Sequence, residues 1–351
     1  MHSAPIRGRG TASNPHNRFA ASHSTAEHDG WEQDVPSTAS TEVRIELAKS
    51  IISRNTSPDL PFDRSINTYR GCEHGCIYCY ARPSHAYWDL SPGIDFETRL
   101  IAKTNAASRL EEQLSARSYQ CAPINLGANT DPYQPIEREY RLTRQVLEVL
   151  LRYRHPVTIV TKGALILRDL DILGELAARR LVRVMVSLTT LDDDLKRVLE
   201  PRAAAPGARL RVISRLTEAG VPVGVLCSPM IPMVNDHELE ALMREAAQAG
   251  ALSANYMLLR LPLEVAPLFE QWLHDHYPQR MNHVLSLVRQ SRGGQLYDPS
   301  FGVRMRGEGV FADLLAQRFA HALRRNGLQS RDGLSLDTSQ FCPPGRQMAL
   351  L

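Results

Sequence analysis

The sequence contains no apolar run of about 18 residues, so we expect no transmembrane helix. Its first residues lack the apolar segment of a secretory signal. Only six cysteines occur in 351 residues, which excludes a disulfide scaffold and favours the reducing cytoplasm as the compartment. An excess of charge of one sign is also lacking: 41 Lys and Arg against 38 Asp and Glu leave a net charge of +3, which identifies no partner.

Three of the six cysteines, Cys72, Cys76 and Cys79, lie within eight residues (CEHGCIYC). A loop this tight cannot close three sulfurs into ordinary disulfides, but it can wrap them around a metal centre. Iron–sulfur clusters are usually held by four thiolates. Three in one loop therefore predict a [4Fe–4S] cluster whose fourth iron stays open for another ligand.

Zinc is the main alternative, because His74 could add a nitrogen ligand to the same loop. Structural zinc sites more often split their ligands into two separated pairs, and no second Cys-x2-Cys or His-x3-His follows downstream. Chance clustering of buried thiols is the other alternative, and the scarcity of cysteine elsewhere argues against it. The spacing favours iron–sulfur.

The chain divides by composition into three parts. Residues 1–42 are rich in Ser, Thr, His, Gly and Asn and predict a flexible polar segment. Residues 43–290 form the core, and residues 291–351 form a C-terminal extension with one amphipathic helix. We predict helices over 44–53, 100–116 (after a short extended stretch), 138–152, 168–179, 208–219, 236–249, 263–277 and 310–326. We predict strands just before the cysteine loop and over 123–127, 156–161, 182–187, 222–227 and 255–259.

Strands that alternate with helices of this length indicate parallel βαβ units in an α/β fold. Six such strands fit a partial (β/α)6 barrel of the TIM type, although the periodicity alone fits a doubly wound sheet equally well. In (β/α) barrels the active site is built at the C-terminal ends of the strands. The polar residues expected there are Thr130 and Asp131 after the second strand, Lys162 after the third and Ser187 at the end of the fourth.

The chain resembles the radical S-adenosylmethionine (SAM) superfamily. Its hallmark is the Cys-x3-Cys-x2-Cys loop with an aromatic residue, here Tyr78, before the third cysteine. Residues 130–135 (TDPYQP), 161–162 (TK), 186–188 (VSL) and 199–202 (LEPR) look like uncharacterised bacterial members of its spore-photoproduct-lyase-like branch. The resemblance covers roughly residues 44–290, and it selects the partial barrel over the doubly wound sheet.

The resemblance also implies a mechanism. The three loop cysteines would ligate three irons, and SAM would chelate the fourth through its amine and carboxylate. An electron from a flavodoxin or ferredoxin would then cleave SAM into methionine and a 5′-deoxyadenosyl radical, which attacks an unknown substrate. In this branch Lys162 and Ser187 would contact SAM, in agreement with the need for a cation or hydroxyl at its carboxylate. Thr130 and Asp131 would meet the amine, and Tyr78 would lie beside the adenine.

One departure limits the resemblance. The lyase relies on a cysteine shortly before the aspartate of the second-strand motif, where this chain has Ala128. Cys121 lies seven residues earlier, and Cys227 at the end of a strand is the remaining candidate. A cysteine in such an apolar strand more often packs as a small core residue. We therefore do not expect repair of the thymine photoproduct.

Two other functions stay open on the sequence. Between Arg289 and Arg331 there are eight arginines and no lysine, which could follow the phosphates of a nucleic acid or could lie on a solvated helix face. A non-catalytic iron–sulfur protein for electron transfer or sensing is the other. It would need a fourth protein ligand on the open iron, from Cys121, Cys227, Cys342 or His74.

Overall fold

The computed structural model describes residues 6, 8–11, 13–19, 39–330 and 335–344. The strands are β1 (Glu42–Glu46), β2 (Ile52–Arg54), β3 (Arg64–Ile66), β4 (Tyr69–Arg70), β5 (Arg99–Lys103), β6 (Ile124–Leu126), β7 (Val157–Thr161), β8 (Val182–Ser187), β9 (Val223–Met230), β10 (Ser253–Leu258) and β11 (Gln329–Ser330). The helices are α1 (Asp95–Thr98), α2 (Ala106–Ser115), α3 (Glu137–Tyr140), α4 (Leu142–Arg152), α5 (Leu170–Ala178), α6 (Asp193–Leu199), α7 (Pro206–Glu218), α8 (Leu239–Gln248), α9 (Val265–His276), α10 (Met281–Gln290), α11 (Val303–Arg306) and α12 (Gly309–Arg325). Short 3-10 helices cover Arg82–Trp88, Ala164–Asp169 and Asp236–Glu238.

Eight strands form the main sheet in the order β11-β10-β9-β8-β7-β6-β3-β2. All neighbours are parallel except β2, which runs antiparallel to β3. The six strands β3 and β6–β10 follow one another in chain order, whereas a doubly wound sheet reverses its order at a switch point. The predicted partial (β/α)6 barrel is confirmed.

Side chains of the barrel strands alternate between two surroundings, as a strand period of two requires. On β7, Val157 and Ile159 pack in the main apolar core, while Val160 lines the barrel interior. On β8, Val184 joins the core and Met185 faces the interior. The core therefore lies between sheet and helices, and the barrel interior is left as a cavity lined by both apolar and polar side chains.

The predicted helix over 44–53 is wrong, because its two ends belong to β1 and β2 and residues 47–51 between them are not helical. Strand β1 belongs to a separate three-stranded sheet in the order β1-β5-β4, with Val43 beside Leu100 and Ile45 beside Ala102. Its partner β5 occupies the start of the region predicted as helix 100–116, so α2 begins only at Ala106. Pairing between distant segments overrode the local helical spacing.

Two further differences are local. The helix predicted over 138–152 is divided into α3 and α4 at Arg141, whose φ of 52° is left-handed and cannot continue a helix. Helices α6 and α10 were not predicted. Asp192 begins α6, where its side chain accepts hydrogen bonds from the backbone N–H groups of Asp194 and Leu195.

The ends of the described chain are joined to the core. The N–H of Gly10 donates to Glu97 Oε2 (2.8 Å) and Asn14 Nδ2 donates to Asp95 Oδ1 (2.9 Å). In the described part of the segment 1–42, polar groups thus bind buried carboxylates. The flexibility predicted for this segment stays a prediction, and its other positions lie outside the described residues. At the other end β11 pairs with β10 and extends the main sheet. No helix in the described ranges is long and apolar enough to cross a bilayer.

Candidate functional site

The cysteine loop begins after β4 and is fixed by its own backbone. Cys72 N–H donates to the carbonyl of Phe96 (2.8 Å), and Cys79 N–H donates to the carbonyl of Cys76 (3.2 Å). Gly75 turns the loop with a φ of +67°, and a Cβ there would lie 2.7 Å from Glu97 Oε2. The loop cysteines form no disulfide. Three thiols are therefore held on one short, tightly turned segment.

A buried ion pair supports the loop from outside. Arg82 Nε donates to the carbonyl of Cys76 (3.0 Å), and its Nη2 donates to Glu97 Oε1 (2.5 Å). Both charged side chains are fully buried. Buried charges persist only when paired and hydrogen-bonded, so the loop conformation and this pair depend on each other.

Gln134, in the loop after β6, ties that loop to the cysteines. Its Oε1 accepts from the N–H of Glu73 (2.9 Å), and its Nε2 donates to the carbonyl of Gly71 (3.2 Å). The side chain is fully buried. A single amide thus couples the residues 130–135 to the start of the cysteine loop.

A cavity of about 840 Å³ opens at the C-terminal ends of the barrel strands. All three loop cysteines and all five predicted SAM-contact residues line it: Cys72, Cys76, Cys79, Tyr78, Thr130, Asp131, Lys162 and Ser187. They come from the cysteine loop and from the ends of β6, β7 and β8. The structure therefore brings together every residue that the sequence analysis selected for the site; their contacts with SAM stay a prediction.

Asp131 is anchored on every side. Its Oδ1 accepts from Thr161 Oγ1 (2.6 Å), its Oδ2 accepts from Lys162 N–H (2.6 Å), and His74 Nδ1 lies 3.3 Å from Oδ2. Burial alone would raise the pKa of this carboxyl, but His74 and the hydrogen bonds have the larger, opposite effect and lower the pKa to about 2. Asp131 is a fixed anion that joins β7 to the cysteine loop. The hydroxyl of Thr130 likewise donates to the carbonyl of Tyr69 (3.2 Å).

Tyr78 is held by a buried network. Its hydroxyl donates to Glu200 Oε1, which also accepts from Thr189 Oγ1 (2.7 Å). Glu200 Oε2 pairs with Arg209, and Arg209 Nη1 donates to the carbonyl of Ser187 (3.0 Å). Although burial raises the pKa of Glu200, Arg209 and the other donors lower it to about 2. The network fixes Tyr78 and the end of β8 with respect to each other.

Lys162 supplies a cation to the cavity. Its Nζ lies 5.8 Å from the centroid of the Tyr78 ring, within cation–π range. Burial lowers its pKa, but the charges of Cys76 and Glu200 raise it, and the net shift is upward. Ser187, only 2% exposed, lines the same cavity. A cation and a hydroxyl are thus available for a carboxylate.

The other three cysteines lie elsewhere. Cys227 is fully buried in the main apolar core, where burial raises its pKa to about 12. Cys121 precedes β6, and Cys342 N–H donates to the carbonyl of Tyr153 just before β7, so both lie toward the N-terminal ends of the strands. None of the three lines the cavity.

In the part of the chain that the structure describes, no three His, Cys, Asp or Glu side chains converge as the ligands of a single metal ion. A cluster makes a different demand, because each cysteine sulfur bonds its own iron. Disulfide-free thiols, carried by one fixed loop and turned toward one cavity, meet that demand. The donor set fits an iron–sulfur cluster.

The sequence analysis did not select the supporting residues as part of the site: Arg82, Glu97, Gln134, Glu200 and Arg209. Glu200 and Gln134 lie in the segments LEPR and TDPYQP, which were quoted as resemblances but given no role. Arg82 and Glu97 had no signal, since a buried ion pair is visible only after the chain has folded.

Comparison with known proteins places the chain in a family. The sequence pattern of the radical SAM superfamily matches residues 66–246. This protein belongs to that superfamily. An uncharacterised protein of Mycobacterium tuberculosis is 36% identical over 263 residues, which cover 74% of this chain and 76% of the relative. An uncharacterised protein of Methanocaldococcus jannaschii is 26% identical over 214 residues, covering 61% of this chain and 76% of the relative.

Among solved structures, spore photoproduct lyase complexed with dinucleoside spore photoproduct superposes with a TM-score of 0.59. The match covers 82% of this chain and 81% of the lyase chain at 15% sequence identity. The likeness establishes a shared fold.

Proposed function

We propose that this protein is a radical SAM enzyme with the cluster on Cys72, Cys76 and Cys79. When bound, the [4Fe–4S] cluster and SAM supply the chemistry: reductive cleavage of SAM to methionine and a 5′-deoxyadenosyl radical, which acts on a substrate that stays unidentified. The observation that carries the proposal is the single cavity shared by the three free thiols and the five predicted SAM-contact residues.

The protein's own part is to bind, orient and exclude water. Lys162 offers a cation to the SAM carboxylate, and Ser187 offers a hydroxyl from the lining of the same cavity. Tyr78 cannot turn away, because its hydroxyl is bonded to Glu200. Asp131 holds the end of β7 against the cysteine loop through His74 and the Lys162 N–H. Because both Asp131 oxygens already accept hydrogen bonds, we assign Asp131 a positioning role in addition to the predicted contact with the SAM amine.

The proposal includes partners. A flavodoxin or ferredoxin would deliver the electron, and the cytoplasm is the compartment that keeps the loop thiols reduced. Both follow from the proposed chemistry.

The test is anaerobic reconstitution with iron and sulfide, followed by incubation with SAM and dithionite and detection of 5′-deoxyadenosine by mass spectrometry. The wild type and a Cys121→Ala control should form the product, while Cys76→Ala should form none. A wild type that contains iron and sulfide but forms no 5′-deoxyadenosine would overturn the proposal.

The C-terminal arginines give little support to the alternative of a nucleic-acid substrate. Arg304 is paired with Asp59 and Arg318 with Glu240. Arg292 donates to backbone carbonyls of β10 and the residue after it. These three side chains are engaged within the fold, and Arg331 lies outside the described residues. Binding to DNA that weakens steeply with salt would restore this alternative.

The alternative of a sensor or electron carrier has even less support from the structure. It requires a protein ligand for the fourth iron, and none of the other cysteines lines the cavity. His74 lies in the cysteine loop itself, with its Nδ1 turned to Asp131.

A further inference from the structure

Many residues line the cavity besides those assigned to the cluster and SAM. This remaining part of the lining carries unbalanced positive charge. We propose that this second part binds the substrate through an oxyanion, a phosphate or a carboxylate, held by Arg260 and Arg306, while Asn125 donates to another polar atom of the same substrate. The inference rests on the proposed function, because it assigns the substrate class of the same site.

The charge balance is the first observation. Two carboxylates line the cavity, and both are engaged: Asp59 by Arg304 and Asp131 by His74. Arg260 and Arg306 also line it, and within the described ranges their partners are aromatic rings and the Asn255 amide, not carboxylates. A partly buried guanidinium without an anion is costly, so these two are suited to an anion that arrives from outside.

Both guanidinium groups are held in place by aromatic rings. Arg306 stacks over Tyr256 with its Cζ 4.0 Å from the ring centroid, and its Nη2 donates to Asn255 Oδ1 (2.7 Å). Arg260 stacks over Tyr80 at 4.1 Å. Such preorganised, planar donors match the geometry of phosphate and carboxylate oxygens.

Asn125 is the second, independent observation. It lies in the middle of β6, is only 2% exposed and lines the cavity. Its Oδ1 accepts from Thr158 Oγ1 (2.9 Å), but its Nδ2 has no partner among the described residues. The hydroxyl of Tyr256, on β10, is also buried without a partner. Buried polar atoms are normally satisfied, so these two call for a ligand with hydrogen-bonding atoms.

The two observations come from different sides of the barrel. Asn125 belongs to β6, whereas Arg260 follows β10 and Arg306 ends α11, which packs on β10. Three strands separate β6 from β10 in the sheet. A ligand held at both places would span the barrel mouth, next to the wall formed by the cysteine loop.

Calorimetry with simple anions tests the inference without requiring turnover. Reconstituted protein with saturating SAM, which occupies Lys162, is titrated with inorganic pyrophosphate and separately with succinate at constant ionic strength. The variants are the double change Arg260→Gln/Arg306→Gln and the single change Asn125→Asp, which places a carboxylate where the donor was. Arg211→Gln, on the exposed face of α7, is the matched control.

We expect the wild type and Arg211→Gln to bind at least one anion, and the double variant to bind it about tenfold more weakly or worse. Asn125→Asp should weaken binding as well, because it adds a negative charge to the same cavity. Binding of pyrophosphate but not of succinate would indicate a phosphate-bearing substrate, and binding of succinate but not of pyrophosphate would indicate a carboxylate-bearing one. Equal affinity in the wild type and the double variant, or no binding of either anion to the wild type, would overturn the inference.

The failure of this inference is distinguishable from failure of the proposed function. The wild type should form 5′-deoxyadenosine from SAM and dithionite without added substrate or anion, because that reaction needs only the cluster and SAM. If the wild type cleaves SAM but shows no arginine-dependent anion binding, only the substrate assignment is wrong.

Discussion

Replacing Glu200 with Gln should loosen the site from its buried side. Glu200 is fully buried and is the carboxylate partner of Arg209, which is 2% exposed. Glutamine keeps the shape but leaves the guanidinium without an anion. Breaking a buried pair in this way costs roughly 3–5 kcal/mol.

That free energy converts into a measurable shift. Unfolding entropy of about 2.1 cal/mol/K per residue gives roughly 0.7 kcal/mol/K for a chain of this length, so Glu200→Gln should lower Tm by about 4–7 °C. Circular dichroism of the cluster-free protein under anaerobic conditions measures it. Affinity for SAM in the reconstituted protein should fall as well, because the group that accepts from the Tyr78 hydroxyl loses its negative charge and its ion pair with Arg209.

A matched control lies on α7, the helix that also carries Arg209. Glu218 pairs with Arg215 on α7 (3.2 Å), but both side chains are more than half exposed. Since exposed pairs contribute about 1 kcal/mol or less, Glu218→Gln should shift Tm by less than about 2 °C. Equal shifts for the two variants would refute the reasoning that the buried pair holds the site.

Other predictions concern the loop and the pH dependence of stability. Gly75→Ala should greatly reduce iron content after reconstitution, because a Cβ would meet Glu97 at a left-handed φ; Gly174→Ala, in α5 with ample space, should retain iron. Gln134→Leu removes two buried hydrogen bonds to the cysteine loop and should lower the free energy of unfolding by about 1–3 kcal/mol, measured by urea titration. Burial lowers the pKa of His155 from 6.5 to about 4, so the fold keeps this ring neutral. Its stabilising effect is complete above pH 6.5 and declines by up to about 3 kcal/mol as pH falls toward 4. His155→Gln should flatten that decline in urea midpoints, and an unchanged slope would contradict the assignment.

The barrel was predictable from sequence because its strands and helices carry their own signals. The apolar run of β8 was predicted with its bounds, and glycine after α7 and α8 ended those helices near the expected positions. The cysteine loop and the strand-end residues followed from spacing, resemblance and the rule that parallel strands end at one edge.

The errors have a common physical origin. Residues 44–53 carry spacing that suits a short helix, but β1 is determined by pairing with β5, more than fifty residues downstream. The break at Arg141 depends on a left-handed backbone that nothing in its residue type announces. The buried pair of Arg82 and Glu97 likewise arises only when the chain folds back on itself. Local patterns carry no information about such distant partners.

The buried residues that support the cysteine loop limit how the loop can be changed. Gln134, the Arg82–Glu97 pair and the Glu200–Arg209 pair contact the loop from three sides, and all are fully or almost fully buried. Sites of this kind depend on outer residues that orient the ligands. Changes to the loop should therefore retain all three supports.

The most direct test of the central claim is electron paramagnetic resonance of the reduced, reconstituted protein with and without SAM. An iron open to SAM predicts about four irons per chain and a spectrum that changes when SAM is added, in the wild type and in Cys121→Ala alike. A cluster of that content whose spectrum is unaltered by saturating SAM would contradict the account.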